Sequence, residues 1–214
     1  MLTPAVEKLL SISSPPLFNA DQRVESSELH AGGGPLADDL AKILNARNGF
    51  FAFEGALRFF PSRSVPISYG MIEWNSQDLW RFEYAALAQG CLFFAEDIFG
   101  GQFAMADGKI CTFDPETGQA AEVAADLEGW AAAILADYEV LTGYQLAREW
   151  QVKHGKLAGR DRLVPKTPFV LGGDFALSNL VAVDAVKGMR ARGNLARQIR
   201  DLPDGAKIRY EVTQ

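Results

Sequence analysis

Apolar positions in this chain recur with two periods, and the change of period marks its elements. From Pro35 onward, Leu36, Leu40, Ile43 and Leu44 fall three and four residues apart, with Asp38, Asp39, Lys42 and Asn45 between them. That spacing predicts a helix with one core-facing stripe. Asp38 and Asp39 complement the positive end of its dipole, and Asn48-Gly49 can adopt the left-handed conformation that ends it. Thr3-Pro4 predicts the start of a shorter helix over Met1–Leu10. The apolar runs Phe50–Phe53 and Ala56–Phe60 flank Glu54-Gly55 and predict a hairpin. Between Gly90 and Phe113 two aromatic runs are separated by Gly100-Gly101, and Asp107-Gly108 has the chemistry of a type I′ turn. Asp114-Pro-Glu-Thr-Gly118 reads as a further turn. The segment is therefore expected to be a three-strand meander feeding a helix. That helix is capped by Asp126 and carries Leu127, Trp130, Ala131, Ile134, Leu135, Tyr138 and Leu141, continuing to Leu146 and Trp150. Gly143 either weakens it or divides it in two.

The remaining segments read less regularly. Ser11–Gly34 is rich in Ser, Pro and Gly and reads as a loop, Pro61–Pro66 as a turn region, and Ile72–Trp80 as a short helix. Gly155–Pro168 is polar, basic and punctuated by proline, which places the main boundary there. Beyond it, Pro168–Gly173 reads as a short strand, Leu180–Val183 is ambiguous, and Asp184–Leu202 reads as a helix interrupted near Gly188 or Gly193. Pro203-Asp204-Gly205 is a turn before an alternating strand over Ala206–Val212. The expected organisation is an N-terminal helix and loop over 1–34, a principal domain over 35–152, and a C-terminal extension over 153–214.

Charge changes this picture. The 214 residues carry a formal net charge of −6, but it is unevenly spread. Residues 151–214 hold 12 Lys+Arg against 6 Asp+Glu, a balance of +6, which leaves 9 against 21 and −12 for residues 1–150. The two parts either neutralise each other internally or present an acidic body to a basic partner. The acidic body disfavours nucleic acid. No apolar run reaches the ~20 residues of a membrane span. Glu7 and Lys8 interrupt the N-terminal apolar stretch, so no export signal is expected, and Cys91 and Cys111 are expected to be reduced thiols in the cytoplasm.

Candidate chemistry is sparse. His30 and His154 have no neighbours at zinc-ligand spacing, so neither a metal nor a cofactor is expected. Gly32-Gly33-Gly34 lacks the Gly-Lys-Ser/Thr continuation of a phosphate loop, and no nucleophile elbow or dinucleotide fingerprint occurs. Glu96-Asp97, with Glu54, Asp107 and Asp114 elsewhere, are the carboxylates available to a hydrolase, but neighbours in a strand face opposite ways. Tyr69, Trp74, Trp80, Phe82 and Tyr84 form an aromatic-dense stretch that either packs over the sheet or offers a binding patch.

Several of these segments, taken in order, resemble the SUKH superfamily of cell-wall-synthesis regulators and bacterial toxin-immunity proteins. Pro35-Leu36-Ala37-Asp38-Asp39-Leu40 through Arg47-Asn48-Gly49 is similar to the family's opening helix, with its leading Leu-Pro in reverse order. Gly55-Ala56-Leu57-Arg58-Phe59-Phe60-Pro61 is similar to its first strand. Gly90-Cys91-Leu92-Phe93-Phe94-Ala95-Glu96-Asp97 with Gly100-Gly101-Gln102-Phe103-Ala104 resembles its most recognisable segment, Ala95 standing where a relative usually has glycine. Trp130 to Tyr138 fits the closing helix. The resemblance spans residues 35–140. It implies an α+β fold in which a mostly antiparallel, twisted sheet packs against helices, with an α/β C-terminal extension. It also implies a non-catalytic protein-binding role, often the neutralisation of a cognate toxin such as a nuclease or deaminase. The acidic body suits a partner of that kind with a basic, nuclease-like surface. On that reading Glu54, Trp74, Trp80, Glu96, Asp97 and Asp114 are the expected partner contacts. A regulatory scaffold for cell-envelope or signalling proteins is the alternative, and a carboxylate-dependent hydrolase the third possibility.

Overall fold

In the computed structural model of the chain, residues 1–19, 23–29, 36–203 and 205–206 are described. The fold is α+β. Its centre is a six-stranded antiparallel meander in which every strand pairs with its sequence neighbour: β1 (Phe50–Ala52), β2 (Leu57–Phe59), β3 (Leu92–Glu96), β4 (Gln102–Ala106), β5 (Lys109–Phe113) and β6 (Ala120–Ala124). The expected hairpins form. Phe50 pairs with Phe59 across the first, and Ala106 with Lys109 across Asp107-Gly108, whose φ values of 50° and 74° are those a type I′ turn requires. The sequence pattern predicts three strands of meander after Gly90. Ala120–Ala124 adds a fourth there, an edge strand carrying little apolar surface, so hydrophobic pattern does not reveal it.

Alternation along β3 divides its aromatics between two faces. Phe94 meets Trp130 with ring centroids 5.0 Å apart, and Trp130 also meets Phe59 and Phe103. Helix α4 (Leu127–Ala136) thus covers this face. The Asp126 side chain caps it by accepting the Gly129 N–H at 2.7 Å. Helix α1 (Pro4–Ser11) is tied to α4 where Glu128 accepts the Ala5 N–H at 2.9 Å. Helix α2 (Ala37–Ala46) puts Leu40, Ile43 and Leu44 into the same core. On the opposite face Phe93 meets Trp80 at 5.1 Å, Trp80 meets Trp74 at 5.5 Å, and Tyr84 meets Phe113 at 5.2 Å. Only Met71–Trp74 is α-helical in this stretch (α3), because the chain beyond it turns through short 3₁₀ segments. The long helical pattern breaks twice: at Asp137, whose non-helical backbone ends α4, and at Gly143, whose φ of 67° separates α5 (Tyr138–Thr142) from α6 (Tyr144–His154).

The C-terminal residues pack onto this body. β7 (Asp161–Pro165) and β8 (Leu180–Asp184) form a separate antiparallel pair, and α7 (Ala185–Ile199) runs on from β8. Three expectations are corrected here. The segment read as a polar boundary contains β7, whose Arg162 and Leu163 are buried. The strand read at Pro168–Gly173 is a 3₁₀ turn over Phe169–Leu171. Neither Gly188 nor Gly193 interrupts α7; both lie on its buried face, where a side chain would obstruct packing. A Cβ on Gly193 would meet the Tyr84 ring at 2.7 Å. Gly193→Ala is therefore expected to destabilise the protein by about 1–3 kcal/mol despite alanine's better helix propensity, read as a lower urea midpoint. His30, the glycine triplet at 32–34 and all but the first residue of the strand read over Ala206–Val212 lie outside the described residues.

Candidate functional site

The six residues singled out from sequence divide by burial. Trp74, Trp80 and Glu96 are fully enclosed, so none of them has surface to offer a partner. Trp80 packs against Trp74, Tyr84 and Phe93, whereas Trp74 and Glu96 belong to one hydrogen-bonded network. Trp74 Nε1 donates to Gln102 Oε1 at 2.7 Å, and Gln102 Nε2 donates to Glu96 Oε2 at 3.0 Å. Glu96 Oε1 in turn pairs with both Arg58 on β2 and Arg162 on β7. Two guanidiniums thus share one carboxylate inside the protein. Burial pushes the Arg58 guanidinium down to about 9; Arg162 beside it acts the same way, against the opposing pull of Glu96. The basic extension and the acidic body therefore neutralise each other in part, at Arg162–Glu96 and again at the surface pair Arg197–Glu83.

Glu54, Asp97 and Asp114 behave differently. Glu54 is exposed at the β1–β2 turn and accepts the Tyr144 hydroxyl at 3.0 Å. Asp97 and Asp114 come together, joined by Glu116, on a pocket of about 420 Å³ between the β3–β4 turn, the end of β5 and the chain after β7. Asp97 Oδ1 accepts the N–H groups of Phe99 and Gly101 at 2.8 and 2.7 Å, which closes the turn. This explains Gly100-Gly101: a Cβ on Gly101 would lie 2.5 Å from Asp97 Oδ2, and one on Gly100 would lie 2.6 Å from Arg192 Nη2. Asp114 opens the turn ending at Gly118 and accepts the Glu116 N–H at 2.7 Å. Glu116 is only 3 % exposed; its Oε2 accepts the Val170 N–H at 2.8 Å, and its Oε1 has no partner.

Electrostatics follow from this enclosure. Burial raises the Asp97 carboxyl to about 7, helped by the Glu96 charge and opposed by its two N–H donors and Arg192. Burial raises Glu116 as well, against the Val170 N–H and Arg192. Aromatic rings line the same opening. Phe169 and Phe175 stack with centroids 3.9 Å apart, Phe99 meets both edge-on, and Phe175 is 66 % exposed. The arrangement offers a cationic side chain two kinds of attraction, carboxylates and exposed ring faces. Among the described residues no cluster of His, Cys, Asp and Glu could hold a metal ion, and His154 stacks on Trp150 away from the pocket.

Sequence reasoning missed Glu116, Arg192, Phe169 and Phe175. Glu116 was visible inside the Asp114–Gly118 turn, but a turn residue turned inward has no periodic signal. Arg58 was visible as a lone charge between Leu57 and Phe59, a pattern that marks a buried or paired cation in a strand.

No family model and no curated protein matches the chain. Among solved structures, the crystal structure of Atu4351 from Agrobacterium tumefaciens is similar with a TM-score of 0.57 and 13% identity, over 88% of each chain. That likeness establishes a shared fold.

Proposed function

We propose that this chain is a non-catalytic protein-binding module of the immunity type, acting in the cytoplasm and neutralising a toxin with a basic surface. One observation carries the reading: Asp97, Asp114 and the unpartnered Glu116 Oε1 share a pocket with an exposed phenylalanine, Phe175. A basic side chain of the partner fits there, its charge against the carboxylates and its stem against the rings. The −12 balance of residues 1–150 supports the same partner by favouring its approach. The resemblance of residues 35–140 to immunity proteins agrees with it.

The test is capture of partners by the tagged protein from its own cells, followed by association kinetics. One stoichiometric toxin-like partner is expected. Asp114→Lys combined with Phe175→Ala should slow its association by roughly ten- to a thousandfold at low salt, and by much less at high salt. Unchanged, salt-independent association would sink the reading. Recovery of several cell-envelope or signalling proteins instead would support the regulatory scaffold. Two carboxylates raised by burial in one pocket also fit a hydrolase. Against that, Asp97 Oδ1 is committed to two backbone donors, a bracing role. Turnover of glycosides that Asp97→Asn abolishes would reverse this preference.

A further inference from the structure

A second concavity, of about 1000 Å³, lies between the loop after α1, the β1–β2 turn, α6 and the loop leading to β7. Its walls include Phe51, Ile98 and Leu157, and three apolar side chains that are strongly exposed, Ile12, Ile67 and Val152. Arg162 lines it from within. The triad of Arg58, Glu96 and Arg162 holds two cations against one anion, and Arg162 Nη2, on a residue 1 % exposed, has no partner. The other charged groups on the groove are Arg148, Lys156 and Glu54, the last already accepting the Tyr144 hydroxyl. The groove is therefore apolar along its walls and has an excess of positive charge.

We infer that this groove binds a single-chain alkyl carboxylate, its headgroup toward Arg162 and Lys156 and its chain along Ile12, Ile67 and Val152. An extended peptide fits less well, because its backbone would find few partners. β1 is the sheet edge facing the groove, but Phe51 already donates its N–H to Ser14 Oγ at 3.0 Å and accepts the Ser14 N–H at 2.8 Å. Gln151 is likewise engaged, donating to the Glu54 carbonyl and accepting the Leu157 N–H. An alkyl chain makes no such demand, and its carboxylate supplies the anion that the buried pair lacks. The volume is in the range of small-molecule pockets.

This site is independent of the proposed toxin pocket, and its test separates the two. Decanoate, dodecanoate, dodecanol and dodecylamine, each below its micelle concentration, would be titrated into the full chain by calorimetry. Dodecanoate is expected to bind at least about tenfold more tightly than the alcohol or the amine. It should also bind more tightly than decanoate, by roughly threefold to fourfold for each added methylene. Val152→Trp fills the groove from an exposed position and should abolish binding with the urea midpoint unchanged. Lys156→Glu should weaken binding of the carboxylate and leave the alcohol unaffected. Equal affinity for dodecanol, full binding by Val152→Trp, or no heat from dodecanoate would each overturn the inference.

Discussion

Glu96→Gln is expected to lower the free energy of unfolding by about 3–5 kcal/mol, the largest effect of any single substitution considered for this protein. The substitution keeps the shape of the side chain and removes the carboxylate that bridges Arg58 and Arg162, both at most 1 % exposed. What remains is two enclosed cations facing each other, with Arg58 held by the Gly159 carbonyl and Arg162 by its neighbour Asp161. The cost arises from leaving buried charge uncompensated, and it is no measure of the strength of the ion pair itself. That distinction is testable. Replacing the whole triad, Arg58→Met with Glu96→Leu and Arg162→Met, removes all three charges together and should restore most of the lost stability. Urea unfolding followed by tryptophan fluorescence reads both variants, because Trp74 reports on the network through Gln102. A Glu96→Gln protein with the wild-type midpoint would mean that water or a solute anion already compensates the pair.

The triad also shows where sequence reasoning reaches its limit. Turns and the first hairpins were legible because their chemistry is local: Asp107-Gly108 needs two positive φ values, and few other residues supply them cheaply. The α2 stripe and the Asp126 cap were legible for the same reason. β6 was not, since an exposed edge strand owes its place to backbone pairing with β5 more than to apolar side chains. Glu96 stands out in the sequence as a charge in an apolar strand, but its meaning depends on Arg162, which lies 66 positions away in a segment that reads as a basic linker. Asp97 and Asp114 meet for a related reason: turns that look independent in sequence lie at the same end of an antiparallel meander. A pattern within one element reveals which residues are core. Which charges meet is decided by packing between elements, and a single sequence does not encode that visibly.

Asp97→Asn is expected to change the pH dependence of stability more than any other substitution. The Asp97 carboxyl titrates at about 7 in the folded protein, against an ordinary value of 3.8, because burial penalises its charge. Between those values the folded protein holds a proton that the unfolded chain has released. The contribution is therefore fully present below about pH 4 and is lost as pH rises through 7. A titration displaced tenfold in proton concentration corresponds to about 1.4 kcal/mol, so the rise from 3.8 to about 7 is worth several kcal/mol. Asparagine keeps the Oδ1 acceptor for Phe99 and Gly101 and carries no charge to desolvate. The variant should match wild type near pH 4 and exceed it by about 2–4 kcal/mol at pH 8, with the difference opening between about pH 4 and 7. Urea unfolding at each pH measures this directly. Parallel curves would show that the two N–H donors and Arg192 outweigh burial and keep Asp97 ionised throughout. The same titration bears on the proposed pocket, since a basic side chain is attracted only to the ionised carboxylate. Capture of the partner should then weaken as pH falls through 7 in wild type. In Asp97→Asn it should be weaker at pH 8 and less steep, Glu116 supplying what pH dependence remains, so added stability and lost affinity appear together in one variant.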